Sequence, residues 1–213
     1  MRAIDRIIIQ SLPLALVLLL AMSMAACQEV QATCTEIAPQ QPPESLPDVS
    51  PALVEDARSY AEDYGVSLNE AIRRLSGQNE IGNLGSELES GESATFGGLW
   101  IQNEPDYRVV VAFTKDGEKT IRPYLERTSV AATVKVCQVD KSLVELKKAR
   151  EEAEEMVKGL GFNFGSGLDI PNNMVQLYLT EAKIEELEIE LKKAGLTLPD
   201  NVELVAALPA RPA

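Results

Sequence analysis

Thr95-Phe96-Gly97-Gly98-Leu99-Trp100-Ile101-Gln102-Asn103-Glu104-Pro105-Asp106-Tyr107-Arg108-Val109-Val110-Val111-Ala112-Phe113-Thr114 is the stretch from which the fold can be read. Two runs rich in β-branched, aromatic and aliphatic residues flank a polar turn containing Asn103 and Pro105, the pattern of a β-hairpin. A second copy stands at Phe164-Gly165-Ser166-Gly167-Leu168-Asp169-Ile170-Pro171-Asn172-Asn173-Met174-Val175-Gln176-Leu177-Tyr178-Leu179-Thr180. Gly-Leu-x-Ile recurs, and the second strand again starts on Val and closes on Thr. In this alignment Asp169 takes the place of Trp100.

Each hairpin is followed by the same kind of material. After the first come a turn at Lys115-Asp116-Gly117-Glu118, an imperfect helix over Lys119 to Arg127 interrupted by Pro123, and an alternating strand over Val130 to Val139. After the second come a helix from Glu181 to Ala194 stopped by Gly195, and a final strand over Val202 to Ala207. Both halves, 94–139 and 162–207, therefore read as β-β-α-β. A long charged helix over 140–160, capped by Asp140 and with Leu143, Leu146, Ala149, Ala153, Met156 and Val157 on one face, joins them. The fold class expected is α+β: two small antiparallel three-stranded sheets, each with one helix on a face, preceded by two N-terminal helices.

Those two helices have clear start signals. Ser50-Pro51 opens the first and Gly65 closes it. Ser67-Leu68-Asn69-Glu70 reads as a capping box opening the second, which weakens near Ser76-Gly77 and resumes through Ile81, Leu84 and Leu88. Gly65-Val66-Ser67-Leu68-x-Glu70-Ala71 with Arg73-Arg74 also occurs in helix-turn-helix proteins, but an exported, acidic chain disfavours that reading.

Ahead of the helices, Arg2 and Arg6 precede an apolar run, Ile7 to Met24, that leads into Met24-Ala25-Ala26-Cys27. This resembles the lipobox of bacterial lipoproteins, with Met24 where Leu is preferred, and implies a lipid on Cys27. An uncleaved membrane anchor would use the same run. Gln10, Pro13 and the Ala-Ala-Cys exit favour the lipoprotein. Either way the folded part is expected outside the cytoplasm, anchored to a bacterial membrane. Residues 28–49, with Pro39, Pro42, Pro43 and Pro47, read as a semi-extended tether.

Net charge narrows the partners. The chain of 213 residues carries −13, and removal of residues 1–26, with Arg2, Arg6 and Asp5, moves this to −14. Such a surface repels phosphate backbones and anionic lipid, so no nucleic acid is expected and membrane attachment falls to the lipid. With Cys27 lipidated, Cys34 and Cys137 remain, and in an oxidising compartment they are expected to form a disulfide; two free thiols are the other reading. The sequence has no histidine and no C-x-x-C pair, so neither a metal nor another cofactor is expected.

Phe96-Gly97-Gly98-Leu99-Trp100-Ile101, Glu104-Pro105-x-Tyr107-Arg108-Val109-Val110-Val111 and Phe113-Thr114 together resemble the pro-region of secreted bacterial serine proteases of the α-lytic protease and streptogrisin type. The preceding Ala71, Arg73-Arg74-Leu75 and Ile81-Gly82 are similar to the stretch before this hairpin in that family. Leu168-Asp169-Ile170, Asn172-Asn173, Val175-x-Leu177, Gly195-Leu196 and Pro199-x-x-Val202 are similar to its second subdomain. The likeness spans 55–207. With the segments read above, the organisation expected is signal segment 1–26, tether 27–50, N-terminal helical segment 51–90, first subdomain 91–139, connecting helix 140–161, second subdomain 162–208 and tail 209–213, the two subdomains being what the resemblance implies. In that family the pro-region is an intramolecular foldase and tight inhibitor, its C-terminal tail lying in the protease's cleft. A pro-region-like domain without its protease is the expectation here, since the sequence has neither a triad histidine nor a Gly-x-Ser-Gly motif.

The expected function is therefore a membrane-tethered protein-binding lipoprotein, an inhibitor or foldase acting in trans on a partner such as a secreted serine protease. A structural or interaction lipoprotein of the envelope, without a protease partner, is the alternative. Partner contact is expected through an exposed edge strand of either sheet. The tail Pro209, Ala210, Arg211, Pro212 and Ala213 reads either as a segment entering a partner's cleft or, more readily, as a frayed end. Trp100 and Tyr107 beside Arg108 read either as a stacking surface or, more readily, as core and cross-strand packing. Enzymatic activity is not expected. Asp169, the one acidic residue in an otherwise apolar strand, is the sole carboxylate worth naming as a catalytic candidate, and an outward-facing strand position explains it better.

Overall fold

Start and stop signals place most elements before long-range contacts act. The computed structural model describes residues 33–37 and 49–207, so the signal segment, Cys27, most of the tether and the tail Pro209–Ala213 lie outside the described residues. Strand β1 (Cys34–Glu36) precedes helix α1 (Pro51–Tyr64). Ser50 caps α1 by accepting from the Leu53 amide at 3.2 Å, and Gly65 ends it with φ of 62°, a left-handed conformation in which a Cβ is costly. Helix α2 (Leu68–Ser76) starts at Ser67, whose hydroxyl accepts from the Glu70 amide. Only half the expected capping box forms. The Glu70 carboxylate turns along the helix to Arg73 and Arg74, because charge-assisted bonds outcompete one to a neutral amide.

Helix α3 (Gln78–Gly91) follows after Gly77 alone, so three N-terminal helices stand where two were expected. The hairpin is β2 (Phe96–Gln102) and β3 (Arg108–Phe113), as read from the sequence. Helix α4 (Gly117–Leu125) contains Pro123. The strand expected over 130–139 is shorter: Ser129–Thr133 is a 3-10 turn and only Val134–Gln138 forms β4. Thr128 accepts from the Val130 amide and the Thr133 hydroxyl donates to the Val130 carbonyl at 2.7 Å, local bonds that compete with a ladder.

Helix α5 (Leu143–Gly159) is capped by Ser142 and not by Asp140. Ser142 and Glu145 form a complete capping box, with the Ser142 amide donating to the Glu145 carboxylate at 2.8 Å. Strands β5 (Gly165–Asp169) and β6 (Met174–Leu179), helix α6 (Glu181–Ala194) and strand β7 (Val202–Ala206) complete the chain. Gly195 ends α6 with φ of 66°.

The fold is α+β with two small sheets, ordered β1-β4-β3-β2 and β5-β6-β7. Neither is purely antiparallel, contrary to expectation: β3 with β4 and β6 with β7 run parallel. A helix between two neighbouring strands returns the chain to its starting end, so the second strand must run the same way as the first. The duplication is also larger than β-β-α-β. Ile81, Leu84 and Leu88 of α3 and Ile121 and Leu125 of α4 pack on Val109, Val111 and Phe113. Ala153 and Val157 of α5 and Leu187 and Leu191 of α6 pack on Leu177 and Leu179. The repeated unit is thus α-β-β-α-β, and α5 is its first element in the second copy as α3 is in the first.

Pairing fixes the residue equivalence. Val109 lies opposite Ile101 and Val134, while Val175 lies opposite Leu168 and Val202. With Val109 and Val175 equivalent, Leu168 matches Ile101 and Asp169 matches Gln102; Gly167, not Asp169, takes the place of Trp100. The Gly-Leu-x-Ile alignment is two residues out of register. Such a slip keeps every side chain on the same face, so the sequence pattern alone does not expose it.

Candidate functional site

The two units differ at their outer edge. In the first, β1 lies antiparallel on β4, pairing Cys34 with Cys137, Thr35 with Val136 and Glu36 with Lys135. The disulfide expected between Cys34 and Cys137 is present and links residues 103 apart in sequence. Glu36 accepts from Arg108 at 3.0 Å, and Ile37 packs on the first core. Beside it, a groove of about 310 Å³ is lined by Ile37, Leu125 and Ala131. These three residues of β1 had read as tether, because a strand so short carries no periodicity. The even pair of cysteines left once Cys27 is set aside was the one signal pointing to it.

In the second unit the corresponding edge is that of β7, and no strand lies along its outer side among the described residues. The groove next to it, about 850 Å³, is lined by Leu191, Leu198, Val202 and Leu204. Leu191 of α6 and Leu198 before β7 line it as Leu125 of α4 and Ala131 before β4 line the groove of the first unit. Leu196, in the same groove, is exposed. The unit therefore presents backbone donors and acceptors next to apolar side chains, the combination that an extended peptide uses.

The sheets also differ on the face turned away from α3–α4 and α5–α6. In the first, Val110, Ala112 and Cys137 are 1%, 0% and 2% exposed, and Trp100 lies half-buried opposite Val110. In the second, the positions of Val110 and Ala112 are taken by Gln176 and Tyr178, which join a polar network on that face. The Gln176 side chain donates to Asp169 at 3.1 Å and to Glu203 at 3.4 Å, and accepts from the Tyr178 hydroxyl at 2.6 Å. Asp169 also accepts from the Asn172 amide and side chain. Its carboxylate organises the β5–β6 turn.

Trp100 and Tyr107 do not form one surface with Arg108. Tyr107 is 8% exposed and lies under Arg74, whose guanidinium is 4.5 Å from the ring centroid, with Arg73 at 5.8 Å. Arg108 is engaged by Glu36. The Tyr60 hydroxyl donates to Asn103 at 2.6 Å, so α1 and α2 clasp the hairpin tip. Hydrogen bonds from Arg73, partly offset by burial, hold the Glu70 carboxylate below its ordinary value, and burial pushes the Tyr107 hydroxyl up. The cluster sets one carboxylate against two guanidiniums and fixes α2. It also occupies the Arg73-Arg74 pair of the helix-turn-helix-like words. Of the two sequence readings of Tyr107, a stacking surface or packing, the structure has the second, and a tyrosine next to a turn carries no sign that arginines cover it.

Among the described residues no group of His, Cys, Asp and Glu could hold a metal ion, and no helix is long and apolar enough to cross a membrane. No family model and no curated protein sequence matches this chain.

Proposed function

We propose that this chain is an extracytoplasmic protein-binding domain that takes an extended segment of a protein partner onto the outer edge of β7. It is held at the membrane by a lipid on Cys27, beyond a tether running toward residue 50. The observation that carries the reading is the difference between equivalent edges: β4 is covered by β1, while among the described residues no strand covers β7, which lies beside a groove lined in part by leucines. Main-chain hydrogen bonds supply affinity in such an arrangement and the groove supplies selectivity. The partner class proposed is a secreted serine protease, inhibited or assisted in folding in trans, with the tail Pro209–Ala213 reaching its cleft. The resemblance at 96–114 supports this, and function follows the site rather than the fold.

The test is a protease assay. Purified protein added to a trypsin-like serine protease should slow peptide hydrolysis at micromolar concentration, and hydrogen exchange should show β7 protected in the mixture. No slowing and no protection would remove the protease from the reading. A second reading, an envelope interaction lipoprotein with no protease partner, is favoured by α5 and α6. Their charged faces pair within themselves, as Lys148 with Glu152 and Lys193 with Glu190, and present a solvated acidic surface. Recovery of a non-protease envelope protein by the intact domain, and equally by one lacking its tail, would favour it.

A further inference from the structure

We infer that the β7 edge selects an extended segment carrying a basic residue followed by an aliphatic one, set antiparallel to β7. This rests on the strand-addition reading above and goes beyond it by naming the occupant's chemistry. The occupied edge of the first unit supplies the template. There Glu36 stands opposite Lys135 and donors from Arg108 reach its carboxylate, while the next residue, Ile37, turns to the other face and packs on the core.

Transferring the register places Glu203 where Lys135 stands and Met174 where Arg108 stands, since Val134 and Val202 are equivalent. Glu203 is exposed, on the face that also carries Asp169 and Gln176. The charge at this point of the edge is thus reversed between the two units. A residue opposite Glu203 gains from a positive charge and loses from a negative one. The following residue falls next to Val202, on the face of Leu191 and Leu198, where the first unit seats Ile37. Lys or Arg, then Ile, Leu or Val, is the pair that satisfies both faces.

The probe is a seven-residue peptide built on the β1 sequence with Cys34→Ser and Glu36→Lys, titrated into the full chain in detergent micelles and followed by amide shifts of Val202–Ala206. It should bind about tenfold more tightly than the same peptide retaining Glu at that position. The variant Glu203→Lys should reverse this order, and replacing the peptide's Ile by Ser should weaken binding to either protein. Equal binding of the Lys and Glu peptides, with shifts at β7, overturns the selectivity while leaving strand addition standing. No binding of any peptide to the full chain overturns both. Binding that emerges only after residues 208–213 are deleted assigns the edge to the chain's own tail and likewise overturns the inference.

Discussion

The first and second α-β-β-α-β units share element order, strand direction and register, yet one is closed and the other open. In the first, β1 covers the β4 edge, a disulfide holds it there, and Val110, Ala112 and Cys137 are buried on the second face of the sheet. In the second, no strand among the described residues covers the β7 edge, and the same face carries the polar side chains of Gln176, Tyr178 and Glu203. What they share is the apolar row facing the helices, Val109-Val111-Phe113 in one and Val175-Leu177-Leu179 in the other. That row sets topology. The opposite row and the edge are free to diverge, and that is where a partner site can develop without loss of the fold.

The comparison is tested most severely by removing equivalent core side chains. Ile121→Ala and Leu187→Ala, both at positions with no exposed surface, should each cost about 2–5 kcal/mol in denaturant unfolding. Hydrogen exchange should show Leu187→Ala loosening β6 and β7 while β3 and β4 stay protected. Equal loss across both units would mean that they unfold as one body and that the distinction is geometric only.

Next in size is the clasp. The pair Cys34→Ser and Cys137→Ser should lower stability by about 2–5 kcal/mol, because a long loop in the unfolded chain is released. Exchange should rise along β4 and leave β7 unchanged. Unchanged exchange at β4 would show that Ile37 and the Glu36–Arg108 pair hold β1 without help.

The junction between units comes third. Gly98 has φ of 134°, and a Cβ there would lie 2.3 Å from Ile170 Cγ2. Gly98→Ala should cost about 1–3 kcal/mol through backbone strain and this clash, read as a fall in Tm. Adding Ile170→Ala should recover the steric part only.

The smallest effect concerns the start of the second unit. Ser142→Ala should cost about 1 kcal/mol. The Glu145 carboxylate is held below its ordinary value by the Ser142 amide and then its hydroxyl. A depressed carboxylate stabilises fully above its unfolded value, about 4.3, and this is lost as pH falls through the lower folded value. The acid limb of the stability curve should therefore flatten in Glu145→Gln, a comparison that equilibrium melts between pH 5 and 2 would make.

Legibility in the sequence follows the range of the interactions. The helix α6, with its Gly195 stop, was readable to the residue, and α1 with Ser50, Pro51 and Gly65 equally so, because caps act within four residues. The hairpin and the existence of a repeat were readable from apolar alternation. The two-residue slip at Gly167 and Asp169 was not, since alternation is blind to shifts by an even number. Ser142 lost to Asp140 because both are good caps and only the helix's packing on β5 and β6 decides which turn is first. At the site, the Cys34–Cys137 link was foreseen from compartment and parity. The burial of Tyr107 under Arg74 and the open β7 groove were not, because each depends on residues distant in sequence.

The sequence by itself determined where most helices start and stop, which strand faces are apolar, the duplication and the acidic net charge, since all of these are set by neighbouring residues or by summed composition. Only the tertiary structure decided that β3 and β4 run parallel, that α3 and α5 are equivalent, that three residues of the apparent tether close one sheet, and that no strand among the described residues closes the other. Those outcomes depend on the balance of loop-closure entropy against burial between residues far apart in the chain, and no local pattern carries that balance.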